Sequence, residues 1–256
     1  MSALRVFIKT PLLVFIISIF FILGLLNKSL FFFSKKLRQS VAQRNTQWAC
    51  KCCLKVFNIK VQYKLSQIPA GALLVSNHIS YTDILIIASK IPTLFVTSLE
   101  LKRTPFLGQI TWLGECLYVN RLSHKDLSHE IHDLKMTLQD GHNVLVFPEA
   151  TTSDGLTIKP YKSSLLKVTD HIAAPILNYC TKYTHTNQIP LSANNKTSLS
   201  WTNQQSFLGH ALKLMSYKSI QADFLEVNRF ISSDFKDRKE LAQNLYQNTT
   251  EIYNSY

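Results

Sequence analysis

Sixteen consecutive residues without a charge, Pro11 to Leu26 (PLLVFIISIFFILGLL), constrain this chain more than any other feature. Such a run has no polar face to offer to water. Asn27, Lys28 and Ser29 interrupt it, and Leu30 to Phe33 resume it. A helix perpendicular to a bilayer needs about 20 apolar residues, so the run is marginal as a full span. A cleaved signal segment is the alternative. The run is long for one, and Asn27-Lys28 comes after it instead of a small-x-small cleavage site. It is therefore expected to remain as a membrane anchor.

Charge is distributed to match. Residues 1–82 hold no Asp or Glu and eleven Lys or Arg, which is +11 of the net +12, and the remaining 174 residues are close to neutral. A basic block suits nucleic acid, an anionic membrane face or an acidic partner. Here it surrounds the most apolar part of the chain. Nucleic-acid binding gives no reason for that, whereas anionic lipid attracts each surface Lys or Arg by roughly 1 kcal/mol. Cations lie on both flanks, Arg5 and Lys9 before the run and Lys28, Lys35, Lys36 and Arg38 after it. The heavier carboxyl-terminal flank places the part of the chain that follows in the cytoplasm, and charge on both sides also suits a helix that enters one leaflet without crossing. Leu37, Val41, Trp48, Cys52 and Val56 then recur at helical spacing among Lys and Arg. That pattern fits an interfacial helix with a basic face, with a core-packing helix as the rival. Residues 1–60 are thus expected to form anchoring helices and residues 61–256 a single domain. Five cysteines, an odd number without regular spacing, indicate a reducing, cytosol-facing environment. Cys50-Lys51-Cys52-Cys53 lacks a second ligand pair, so no metal is expected.

From Ala72 onward, short apolar runs alternate with helical patterns. Strands are predicted at 72–76, 93–98, 116–119, 143–147, 174–180 and 220–227. Helices are predicted at 84–90, 105–113, 123–140 with Gly141 as C-cap, and from an Asp234 cap to about Tyr253. Residues 183–200, rich in Thr, Asn and Ser, read as a loop. This alternation predicts an α/β fold with a largely parallel central sheet flanked by helices.

The loop after the first strand reads Asn77-His78-Ile79-Ser80-Tyr81-Thr82-Asp83. A histidine can take a proton from a hydroxyl near neutral pH, and a carboxylate can fix its tautomer and stabilise the imidazolium. On one continuous helix the two side chains would diverge by about 140°. His78 is therefore expected in the turn and Asp83 in the first helical turn, folding back. Ser80-x-x-Asp83 is also a capping-box-like signature, compatible with that role. Glu149, a carboxylate beside a strand end in an apolar segment, needs a partner such as a ligand hydroxyl.

Four blocks in order resemble the phospholipid/glycerol acyltransferase family, typified by lysophosphatidic acid acyltransferases, over about residues 70–230. They are Asn77 to Asp83; Glu100-Leu101-Lys102, Pro105-Phe106-Leu107-Gly108, Gly114 and Arg121; Phe147-Pro148-Glu149-Ala150-Thr151-Thr152-Ser153; and Ala174-Pro175-Ile176-Leu177. The resemblance implies a membrane-bound acyltransferase in which His78 deprotonates the hydroxyl of a lysolipid. That hydroxyl attacks the thioester of acyl-carrier protein or acyl-CoA, and Asp83 orients His78. Neither cofactor nor metal is implied. Lys102 or Arg121 would hold a phosphate, with Asn77, Phe147, Pro148, Glu149, Ala150 and Thr151 completing the acceptor site.

Two positions depart from the family pattern. Ala150 stands for the usual Gly, which disfavours a positive φ, and Thr152 stands for the usual Arg, which removes a bidentate phosphate ligand. With Ser153-Asp154-Gly155, Lys159 to Ser164, Trp201 and Phe207 to His210, the sequence is similar to a branch that includes lyso-ornithine-lipid acyltransferases. Lys159 and Lys162 are candidates to supply the missing charge. A serine hydrolase lacks its Gly-x-Ser-x-Gly turn here. The remaining alternative is a membrane-anchored lipid-binding protein that has lost activity.

Overall fold

The computed structural model describes residues 2–120, 127–170, 173–192, 194–202 and 205–255. Its centre is a sheet with strands in the spatial order β1 (Ile59–Lys64), β8 (Ile220–Ile231), β6 (Pro175–Thr186), β2 (Leu73–Ser76), β5 (Val144–Val146), β3 (Leu94–Ser98) and β4 (Leu117–Val119); β7 (Ile189–Pro190) pairs with β6. From β6 to β4 all pairings are parallel. β8 runs antiparallel to β6, and β1 runs parallel to β8. The fold is thus α/β with a largely parallel sheet, as the alternation predicts.

β2 and β5 are continuous apolar runs, and every residue of both is buried. Strands covered on both faces need no polar alternation. They pair in register, Val75 opposite Val146, so the loops that leave their carboxyl ends at residues 77 and 147 emerge side by side. Ligands of open α/β sheets bind at such strand ends.

The helices are α1 (Ser2–Leu30), α2 (Lys35–Phe57), α3 (Thr82–Lys90), α4 (Leu99–Lys102), α5 (Leu107–Leu113), α6 (Leu127–Gln139), α7 (Phe207–Ser216) and α8 (Arg238–Ser255). Among the described residues α1 is the one helix long and apolar enough to cross a membrane. It continues through the polar interruption because those residues have partners. Asn27 is buried and donates to Arg38 O (2.9 Å), and the Lys28 ammonium pairs with Glu115. Glu115 also receives Arg38 Nε (2.8 Å), so one buried carboxylate clasps both N-terminal helices. Ile16, Phe20, Gly24 and Asn27, at spacings of three and four, form the buried face of α1. A Cβ on Gly24 would meet Leu113 Cβ at 2.9 Å, so glycine allows α1 to lie close on α5. At the other end Arg5 Nη1 donates to Ser216 O (3.0 Å), and Lys9 Nζ to Met215 O (3.1 Å) and Tyr217 O (3.3 Å), where α7 ends.

Several expectations are corrected. The buried face of α2 consists of Gln39, Ala42, Gln43, Ala49, Cys50, Cys53, Leu54, Val56 and Phe57. Of the expected interfacial stripe, Val56 lies in that face, while Leu37 and Trp48 are exposed on the same helix, so α2 packs into the core on one side and keeps apolar side chains on the outside. β1 escapes the sequence reading because its residues alternate half-buried and exposed among lysines. The expected loop from residue 183 begins as strand: β6 runs to Thr186, held by its antiparallel ladder with β8. Asp237, not Asp234, receives the first amides of α8, from Lys239 (2.8 Å) and Glu240 (2.9 Å); Asp234 caps the preceding turn through Ile231 N–H. The expected helix from Ser123 is seen from Leu127 to Gln139, with residues 123–126 outside the described residues.

Removing a buried carboxylate between two cations leaves both charges without their partner. Glu115→Ala is expected to destabilise the protein by about 3 kcal/mol, read as a lowered unfolding temperature in detergent. An unchanged unfolding temperature would show that Glu115 does not hold the helices.

Candidate active site

His78 sits in the turn between β2 and α3, and Asp83 is the second residue of α3. His78 Nδ1 lies 3.0 Å from Asp83 Oδ2. The same oxygen accepts the backbone N–H groups of Ile79 (2.6 Å) and Ser80 (2.9 Å). Asp83 Oδ1 accepts the Tyr183 hydroxyl (2.6 Å) from β6. Asp83 is fully buried, and these four donors meet its charge. The bond from Ser80 N–H to Asp83 lets the carboxylate that faces His78 also hold the backbone of the turn before α3. With its proton on Nδ1, the neutral ring offers Nε2 as the basic nitrogen.

The Phe147 ring stacks on the His78 imidazole at 3.8 Å and 10°, which fixes the ring plane. Glu149 Oε1 accepts the His78 N–H (2.6 Å) and Oε2 the Lys159 N–H (2.9 Å). Ser153 N–H donates to His78 O (2.7 Å). The first and third blocks are thereby stitched together through backbone groups. Burial pushes the Glu149 carboxyl up to about 7, against the two amide donors that favour its charge.

The remaining sequence-selected residues divide clearly. Asn77 is buried with its amide given to strand alignment: Nδ2 donates to Thr181 O (2.9 Å) and Oδ1 accepts Thr181 N–H (2.7 Å). Pro148 is buried and its carbonyl accepts Lys162 N–H (2.9 Å), while Thr151 is exposed on the loop. Lys102 is exposed at the end of α4, with its ammonium 4.8 Å from the centre of the Tyr118 ring. Arg121 lies outside the described residues.

Ala150 adopts φ +62°, so the substitution for glycine has not changed the backbone course that glycine would permit. This corrects the expectation that alanine would avoid that region. Thr152 directs its hydroxyl to Trp201 O, and Trp201 N–H donates to Ile79 O (3.1 Å). Lys159 Nζ donates to Thr152 O (2.7 Å). Position 152 therefore ties Trp201 into the wall of the site, and an ammonium stands beside it. Trp201, Tyr81 and Phe207 pack together, Phe207 meets Phe106 (6.1 Å), and Phe106 stacks at 6.2 Å on Phe21 of α1, so aromatic rings run from α1 to the site.

The sequence reading missed Tyr183, because it fell in the segment read as a loop. The β-favouring Tyr183-Thr184 pair was the available signal.

Residues 58–182 match the family model described as Acyltransferase. A 1-acyl-sn-glycerol-3-phosphate acyltransferase of Neisseria gonorrhoeae is 34% identical over 115 residues, 45% of each chain. A lyso-ornithine lipid O-acyltransferase of Rhizobium meliloti is 26% identical over 180 residues, 67% of this chain and 61% of that protein. The aligned part thus spans about half the length of these relatives. The crystal structure of the 1-acyl-sn-glycerophosphate (LPA) acyltransferase PlsC from Thermotoga maritima superposes with a TM-score of 0.68 at 16% identity, covering 100% of this chain and 97% of that one, so the fold is shared.

A non-glycine residue at positive φ carries strain of about 1 kcal/mol. Ala150→Gly is expected to stabilise the protein by roughly that amount, seen as a higher unfolding temperature. A lower one would mean that the Ala150 methyl contributes more in packing than the strain costs.

Proposed function

We propose that this chain is a membrane-associated acyltransferase that moves a fatty acyl group from a thioester donor, acyl-carrier protein or acyl-CoA, to the free hydroxyl of a lysolipid. The observation that carries the reading is the His78–Asp83 pair, at 3.0 Å with the carboxylate fully buried, within the residues that match the Acyltransferase family model. In this mechanism His78 Nε2 takes the proton as the acceptor oxygen attacks the thioester carbonyl. The imidazolium then returns the proton to the departing thiolate, and Asp83 stabilises the cation in between. No acyl-enzyme forms. Phe147 and Glu149 hold the His78 turn, and Asn77 holds the strand end beneath it.

The setting of Thr152 supports an acceptor other than simple lysophosphatidic acid. Its hydroxyl is committed to Trp201 O, and the neighbouring cation is Lys159, a point charge instead of a planar fork. A lyso-ornithine lipid or another lysolipid with a larger head group fits that wall better than a bare glycerol phosphate. The relatives of this chain include both acceptor types by name.

The placement of α1 supports association with one leaflet. Bonds from Arg5 to Lys28 tie the helix to one body over about 35 Å. A perpendicular crossing would draw that body into the hydrocarbon. Phe7, Phe15 and Ile22 meanwhile remain exposed, which suits immersion of the outer face with the basic flanks at anionic head groups. In this reading residues 1–60 anchor, residues 61–256 catalyse, and the excess cations face the cytoplasm.

The test is a panel of lysophosphatidic acid, other lysophospholipids and lyso-ornithine lipid, each offered with labelled acyl-CoA and acyl-carrier protein to the full chain in detergent. Acylation of a lysolipid other than lysophosphatidic acid, at a higher rate, is expected. A strong preference for lysophosphatidic acid would refute the reading of Thr152, and no acylation of any acceptor would refute the activity.

A further inference from the structure

β6 departs from regular pairing with β8 at two points, after Asn178 and after Tyr183, and the second concerns the residue that reaches Asp83. Tyr183 pairs with Ala222 and His185 with Gln221, so Thr184 is an extra residue between them. Such a bulge twists a strand and re-aims the side chain next to it. Tyr183 is buried, and its phenol reaches across to α3, donating to Asp83 Oδ1 at 2.6 Å. Thr82 Oγ1 stands 2.5 Å from the same phenol oxygen. Because the Tyr183 hydrogen goes to Asp83, Thr82 acts as the donor there, and the phenol has one partner on each side. Thr181, two residues earlier on the strand, receives both groups of the Asn77 amide. One face of β6 therefore fixes the turn before His78 and, separately, the carboxylate behind it.

The three donors on Oδ2 come from the Asp83 turn itself, through Ile79, Ser80 and His78. They set which oxygen faces the imidazole but leave the carboxylate free to rotate about its own bond toward them. Tyr183 donates from a different element and pins the second oxygen. Two points of attachment from two elements define the carboxylate plane, and hence the direction along which Nδ1 is held.

We propose that Tyr183 is a positioning residue for the His78–Asp83 pair, with Thr82 steering its hydroxyl, so that strand β6 sets the orientation of the base. The proposal rests on the acyl-transfer function proposed for this site. Acting through Asp83, Tyr183 bears on the chemical step and leaves both substrates' binding untouched.

The experiment is steady-state acyl transfer by the full-length chain in detergent. Tyr183→Phe is expected to lower kcat about tenfold, while KM for acceptor and donor stays within about twofold. In an Asp83→Asn background the same change is expected to add less than about twofold, because two residues acting through one path are not additive. A kcat for Tyr183→Phe within twofold of the parent, or an undiminished tenfold loss in Asp83→Asn, would overturn the proposal. If Tyr183→Phe does not accumulate folded, Thr82→Val takes its place. A smaller kcat loss at constant KM is then expected, and unchanged kcat would count against Tyr183. Transfer by the parent with unaffected variants removes Tyr183 alone, whereas no transfer by the parent removes the acyl-transfer reading with it.

Discussion

Asp83 is buried without exposed surface, and a carboxylate withdrawn from water costs several kcal/mol unless its lone pairs are met. The arrangement around it derives from that requirement. Two amides of the turn, the imidazole and the phenol of β6 converge on it, and each donor is thereby fixed in place. The turn between β2 and α3 can close only because those amides have this acceptor. The same bonds that begin the helix also present His78 with one nitrogen committed and the other free. A site built this way owes its orientation to the cost of leaving a buried charge unmet.

A second buried carboxylate organises the N-terminal helices in the same manner. Glu115 gathers Lys28 and Arg38, from helices that are otherwise apolar or strongly basic. Much of the positive charge before Asp83 is therefore spent inside the protein: Lys28 and Arg38 in docking, Arg5 and Lys9 at the end of α7, and Lys35 and Lys36 in pairs with Asp133 and Asp140. Docking along the whole of α1 explains why its apolar residues divide into a buried face and an exposed one. It also brings Phe21 against Phe106, at one end of the aromatic row that leads through Phe207 to Tyr81 and Trp201.

Much of this was legible in the sequence, for identifiable reasons. β2 and β5 are unbroken apolar runs buried on both faces, and Gly141, at φ +88°, marks the end of α6 as its position suggested. His78 and Asp83 were readable because local turn geometry alone forces them together. Elements that depend on distant partners were not. β1 is half exposed and forms only against β8, and the extension of β6 through Tyr183 needs the β8 ladder. Ala150 shows the reverse case, in which a local preference against positive φ yields to the bonds that close the loop around it. Tyr183 combines both difficulties, being placed by a long-range ladder and aimed by a bulge.

The central claim is that His78, held by Asp83, is the base for acyl transfer. Its most direct test is the single-turnover rate of labelled acyl transfer to a lysolipid by the parent and by His78→Ala, with matched unfolding temperatures establishing that both are folded. A loss of roughly a thousandfold is expected for removal of a general base. A His78→Ala rate within about tenfold of the parent would contradict it, since the remaining positioning groups would then account for nearly all of the catalysis.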